Sequence, residues 1–129
     1  MPQVKIYGLR EQLRPIMASA SDVIHSCFVD ALKYPAEKRF HRFFPLEADE
    51  FIFPAGRSNR YTIIEINMIK GRSGEAKRNL IRQLFERFQT VLGITGDDLE
   101  ITIIEIRKAN WGFRGKPGDE HELNYKIDV

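Results

Sequence analysis

Arg60-Tyr61-Thr62-Ile63-Ile64-Glu65-Ile66-Asn67-Met68-Ile69 is a β-branched run of strand length, broken by Lys70-Gly71-Arg72-Ser73-Gly74. Such side chains are stiff at χ1 and pack well on a pleated surface, so the run predicts a strand. After the break the period changes. From Ala76 onward Leu80, Ile81, Leu84, Phe85, Phe88, Val91 and Leu92 recur at helical spacing, with Lys77, Arg78, Arg82, Glu86 and Arg87 on the polar side. Gly93 supplies the left-handed stop. Leu99-Glu100-Ile101-Thr102-Ile103-Ile104-Glu105-Ile106 is then a second strand, which a helix-length crossover makes parallel to the first. The whole stretch is one βαβ unit. Its junction, Lys70-Gly71-Arg72-Ser73, sets two cations where a strand ends and a helix begins, a place where backbone donors and the helix dipole favour an anion.

Working outward, Pro2-Gln3-Val4-Lys5-Ile6-Tyr7 alternates as a short strand. A helix follows, with Pro15 suited to its first turn and an apolar stripe of Ile16, Ala20, Val23, Ile24, Cys27, Phe28 and Ala31 that stops before Tyr34-Pro35. Lys38 to Phe44 and Phe51-Ile52-Phe53 read as extended segments around a polar turn. The first half thus repeats the order of the second, giving repeat 1 over about 2–58 and repeat 2 over about 59–106. Beyond them, 109–118 reads as a glycine-rich loop, and Leu123, Tyr125, Ile127 and Val129 alternate as a last short strand. The expected fold class is α+β: two βαβ units forming a four-stranded mixed sheet backed by two helices, in one domain spanning 1–129.

With 129 residues, 43% of them hydrophobic, the chain can bury a substantial core. A net charge of +2 is too slight for a duplex-binding footprint, and no basic helix or aromatic platform compensates, so no nucleic-acid partner is expected. No apolar run reaches membrane-spanning length and no signal-peptide core precedes the first strand, so the expected location is cytoplasmic. Cys27 is the only cysteine and falls on an apolar helix face, which favours a buried thiol over a nucleophile. His25 and His121 show no metal-ligand spacing, so neither a metal nor another cofactor is expected.

The central strands are apolar on both faces. Ile64, Ile66, Ile104 and Ile106 are expected on one side and Ile63, Ile69, Ile101 and Ile103 on the other. Two helices cover only one side, so another copy of the chain is expected to cover the second, with the last strand lent to a neighbouring sheet.

Lys70-Gly71-Arg72-Ser73-Gly74-Glu75-Ala76-Lys77, the helix through Leu80-Ile81-Arg82, and Ile101-Thr102-Ile103-Ile104-Glu105-Ile106 together resemble the repeat unit of the 4-oxalocrotonate tautomerase superfamily, whose fold macrophage migration inhibitory factor shares. Fused members of that superfamily carry two such units, begin with methionine then proline, and are homotrimers; the resemblance implies the same here. Trp111-Gly112-Phe113, Pro35-Ala36 and Arg39 are similar to the malonate semialdehyde decarboxylase subgroup. The chain departs from that subgroup where Lys38 stands in place of an aspartate and Lys70 in place of a second arginine. The resemblance therefore implies a cofactor-independent tautomerase acting on a small anionic 2-oxo or enol acid. A 3-oxo acid decarboxylase or hydratase is the alternative, and a non-catalytic binding protein on the same scaffold is the competitor from another class.

Initiator methionine is readily removed before proline, which would leave the ring nitrogen of Pro2 as a secondary amine. Burial and neighbouring cations both favour its neutral form, so it would serve as a general base that moves a proton from carbon to carbon. Arg72 either caps a helix at the surface or grips a carboxylate bidentately, and its junction favours the second role. Pro2 and Arg72 are the catalytic candidates. Lys70 reads equally as a solvated lysine or a second anion contact, and Trp111 and Phe113 equally as core or pocket. Arg39 stands out from the basic cluster Lys33, Lys38, His41 and Arg42 as a further substrate contact.

Overall fold

The computed structural model describes residues 2–123 and 126–129. β1 (Gln3–Leu9) alternates as its sequence requires, with Val4 and Ile6 fully buried. The next helix is interrupted. One turn, α1 (Arg10–Leu13), passes through a 3₁₀ segment, Arg14–Ile16, into α2 (Met17–Leu32). Pro15 sits at the start of that 3₁₀ segment, where its missing N–H is least costly. α2 ends at Lys33, whose φ of 56° lies in the left-handed region, and Tyr34-Pro35 carries the chain away.

β2 is His41–Leu46, an edge strand in which Pro45 is tolerated. The segment expected to be extended at Phe51–Phe53 joins no ladder. Its rings instead pack on Tyr61, with centroids 5.7 Å from Phe51 and 5.1 Å from Phe53. Repeat 2 follows the sequence closely: β3 (Thr62–Ile69), α3 (Gly74–Leu92) and β4 (Leu99–Ile106). Ser73 caps α3 by accepting from Ala76 N at 3.1 Å, and Gly93 closes it with a φ of 69°. Arg60 donates to the carbonyls of Leu92 and Gly93, a cation where the dipole is negative.

The sheet order is β2-β1-β3-β4, with β1/β2 and β3/β4 parallel and β1/β3 antiparallel. The expected α+β architecture, a four-stranded mixed sheet backed by two helices, is the one observed. α2 and α3 lie on one face over Val4, Ile6, Ile64, Ile66 and Met68, meeting them with Ile24, Phe28, Leu80, Leu84 and Phe88. Each fully buried side chain of this kind contributes ~1.5–3 kcal/mol of transfer free energy.

The register corrects one expectation. Ile64 pairs with Ile101 and Ile66 with Ile103, so these four share the helix-covered face, while Ile104 lies opposite Asn67 on the other. That open face mixes Lys5, Tyr7, Glu65, Asn67 and Thr102 with Ile63 and a half-exposed Ile104. It is less apolar than composition suggests, and Tyr7 donates to Glu65 across it at 2.5 Å.

Two more expectations change beyond β4. The glycine-rich loop contains a hairpin, β5 (Gly112–Phe113) with β6 (Lys116–Pro117). Arg114 at φ 51° and Gly115 at φ 84° are both left-handed, which is what a two-residue type I′ turn demands. The expected last strand is not formed by the described residues of 121–129, and Tyr125 lies outside them. Val129 O instead accepts from Ser73 N at 3.0 Å, and Ile127 packs with Ile69 and Trp111, so this tail lies on its own chain's strand-to-helix junction.

Candidate active site

Antiparallel pairing of β1 with β3 brings the start of one beside the end of the other. Gln3 pairs with Asn67, so Pro2 follows in register opposite Met68, and Pro2 is buried. Parallel β4 ends at the same level, Ile69 with Ile106, and Lys70 N continues the ladder to Ile106 O at 2.8 Å. On the other side Val4 pairs with His41 and donates to Phe40 O at 2.9 Å, which puts Arg39 level with Pro2. One end of the sheet therefore collects Pro2, Arg39, the Lys70–Ser73 junction and the segment leading to Trp111.

Within the junction the backbone is tight. Gly71 has a φ of 147°, and a Cβ there would stand 2.9 Å from Ile127 Cγ2, so only glycine fits. Arg72 is 4% exposed and donates from Nη1 to Ile69 O at 3.3 Å, immediately before the Ser73 cap. A buried guanidinium beside a helix N-terminus is a strongly anion-favouring arrangement.

Three cavities open at this end among the described residues. One of about 690 Å³ is lined by Lys70, Gly71, Lys108, Lys126 and Asp128; a second, of about 420 Å³, by Glu37, Lys38, Arg39, Phe113 and Arg114; His121, Glu122 and Leu123 form a wall of both. The third, of about 440 Å³, runs along Gln3, Arg39, Phe40, His41 and Arg42. Arg39 and Phe113 are thus brought together, with Lys70 across the shared wall. Pro2 and Arg72 are buried at the sheet end, and Trp111, 8% exposed, packs in a small cluster with Ile69 and Ile127. Arg39 donates to Asp22 at 2.7 Å, but both side chains are exposed, and such a pair contributes at most ~1 kcal/mol, so its guanidinium can be redirected to an anion at little cost.

His121 has no metal-ligand spacing in the sequence, yet the fold sets it against Phe113. Its one signal was position, three residues after Gly118 in a glycine-rich segment that folds back on Phe113. Cys27 is fully buried and burial pushes its thiol up to about 11, which leaves it unreactive as a nucleophile. Among the described residues no group of three histidine, cysteine or acidic side chains could hold a metal ion. No helix among them is long and apolar enough to cross a membrane.

Behind Arg39 lies a histidine pair. His25 donates from Nε2 to Ala36 O at 2.7 Å, and His41 Nδ1 meets Ser21 Oγ at 2.7 Å. Burial, then the charge of Arg39, then His25, lower the His41 pKa from 6.5 to about 4. Because the folded-state value lies below the unfolded one, this neutral ring's stabilisation is complete above the unfolded pKa and is lost as pH falls toward the folded one. Since the ring is partly exposed, the expected loss is ~1–2 kcal/mol rather than the full linkage value. Urea titrations of wild type and His41→Gln check this: the wild-type midpoint should fall between neutral and mildly acidic pH, and the variant should show a smaller fall.

Residues 38–114, more than half of the chain, match the family model described as tautomerase enzyme. The chain belongs to this tautomerase family. A probable tautomerase of Bacillus subtilis strain 168, YrdN, is 27% identical over 97 residues, covering 71% of this chain and 74% of its own. The probable tautomerase RSp0893 of Ralstonia nicotianae is 34% identical over 55 residues, covering 43% of this chain and 79% of its own. Among solved structures, a malonate semialdehyde decarboxylase superimposes with a TM-score of 0.79 at 24% identity, covering 88% of this chain and 92% of that one. A fused 4-OT, described as an asymmetric trimer, gives 0.81 at 23% identity, covering 92% of this chain and 97% of that one. At these identities the structural likeness is one of fold. The tautomerase fold holds two βαβ repeats, and in each the paired parallel strands are separated by the same stretch of chain, Val4 with His41 and Thr62 with Leu99.

Proposed function

We propose that this tautomerase-family chain is a cofactor-independent keto–enol tautomerase acting on a small anionic 2-oxo or enol acid. Pro2, freed by removal of Met1, is the general base, and Arg72 holds the carboxylate or the developing enolate. The observation that carries this reading is the register of β1 on β3, which sets the Pro2 ring, buried, at the same sheet end as the Lys70–Ser73 junction. A base that takes a proton from carbon needs a cation nearby to accept the charge that appears on oxygen, and the two are supplied by different strands. Lys70 adds a second anion contact, and Arg39 and Phe113 line the approach, with Trp111 supporting them from behind.

Decarboxylation or hydration of a 3-oxo acid is the second reading, favoured by the shared cavity of Arg39 and Phe113. Lys38 lines that same cavity. An acid is needed there to orient water, so phenylpyruvate-like enols are expected to be ketonised faster than malonate semialdehyde loses carbon dioxide, and Lys38→Asp should leave ketonisation nearly unchanged. Rapid decarboxylation by wild type that Lys38→Asp abolishes would overturn the tautomerase assignment. No turnover of any enol or oxo acid would leave a binding protein on this scaffold.

A homotrimer is part of the proposal, supported by the uncovered sheet face carrying Ile63 and Ile104 and by the trimeric fused 4-OT neighbours. Light scattering at micromolar concentration should give three times the chain mass; a stable monomer would refute it.

A further inference from the structure

His121 is held against Phe113, whose ring both packs on the Ile69, Trp111 and Ile127 cluster and lines the cavity beside Arg39. Gly118 crosses the hairpin so closely that its N donates to Trp111 O at 2.6 Å and a Cβ on it would stand 2.6 Å from Lys108 O. The 3₁₀ turn Gly118–Glu120 starts from that crossing and closes with His121 N donating to Gly118 O at 3.3 Å, which fixes where the imidazole begins. The ring then lies flat on Phe113, centroids 4.2 Å apart and planes 16° from parallel. His121 Nε2 is 2.6 Å from Phe113 O. A carbonyl only accepts, so Nε2 carries a proton and is the donor. One residue therefore grips both the ring and the backbone of Phe113, and it does so at the wall common to two of the cavities.

We propose that His121 is a positioning residue that sets specificity for the acid: it pins the Phe113 ring so that the cavity beside Arg39 keeps a rigid apolar wall against the substrate's carbon chain. The inference rests on the reading of Phe113 and Arg39 as substrate-binding residues, and it adds a residue outside the hairpin to that set. A stacked aromatic pair holds a wall in place before the ligand arrives, so its loss weakens binding and leaves the proton transfer itself nearly unchanged.

The test uses the full chain, malonate as a non-reacting acid and Trp111, the single tryptophan, as fluorescent reporter. His121→Ala should raise both the malonate Kd and the KM for an enol about tenfold while kcat stays within about threefold of wild type. His121→Phe keeps the stack without the carbonyl bond and should recover most of the lost affinity. In the ligand-free protein, the ring-proton resonances of Phe113 should lose their stacking shift in His121→Ala and keep it in His121→Phe. Wild-type affinity in His121→Ala, or a His121→Phe protein that folds as wild type but binds no better than His121→Ala, would overturn the proposal. Failure of wild type to bind malonate at all would instead strike the acid-binding reading, and the specificity role with it, even if the Phe113 resonances behave as expected.

Discussion

Protein that keeps Met1 ahead of Pro2 is expected to ketonise an enol about 10²–10⁴-fold more slowly than the processed form, the range that a positioned general base contributes. In the unprocessed chain the proline nitrogen is an amide, its lone pair is delocalised, and it takes no proton near neutrality. The cations around it are untouched, so malonate should bind both forms alike. Separating the two forms by intact mass and assaying each gives the answer directly. Equal rates would remove Pro2 from the mechanism and leave the buried position of its ring a matter of packing.

Arg72→Ala has the second large expected effect, a loss of ~2–4 kcal/mol of transition-state stabilisation. If the guanidinium meets the enolate, kcat and kcat/KM fall together; if it only grips the carboxylate, the loss shows mainly in KM. Arg72→Lys keeps the charge but not the planar fork, and should recover only part of the loss. Because Arg72 is buried and satisfies Ile69 O, a thermal melt of each variant must accompany the kinetics. A folded Arg72→Ala protein with wild-type kcat and KM would show that this arginine serves the fold alone.

Repeat 2 was legible because its signals agree: β-branched runs, a helical stripe and a glycine stop coincide at Ile69, Phe88 and Gly93. The faces of the sheet were not, because β3 and β4 hold enough isoleucine to support either register. Pairing is decided by which residues meet the helices, and that placed Ile104 outside. The hairpin at Phe113 was hidden because its turn places Arg114, a residue without special turn propensity, in a left-handed conformation before Gly115. At the site, the strand-to-helix junction could be read from charge and spacing, whereas the partnership of Arg39 with Phe113 depends on contacts between segments far apart in the chain. His121 was marked only by its place three residues after Gly118, since a stack on a neighbouring ring leaves no mark in spacing.

The antiparallel seam between β1 and β3 relates the two repeats by an approximate two-fold axis, so the sheet has two ends of similar construction. At the far end the place that Pro2 occupies is taken by Arg60-Tyr61, within an unbroken peptide whose nitrogen has no basicity. Gly8, Leu13, Tyr61 and Ile94 pack there with about 0 Å³ left between them for water, while a cavity of about 170 Å³ opens beside them along Leu9, Arg10, Leu46, Glu47 and Asn59. On the proposed mechanism, joining two repeats in one chain leaves a free proline nitrogen at only one of the two geometrically equivalent ends, so the proposed site occurs once per chain.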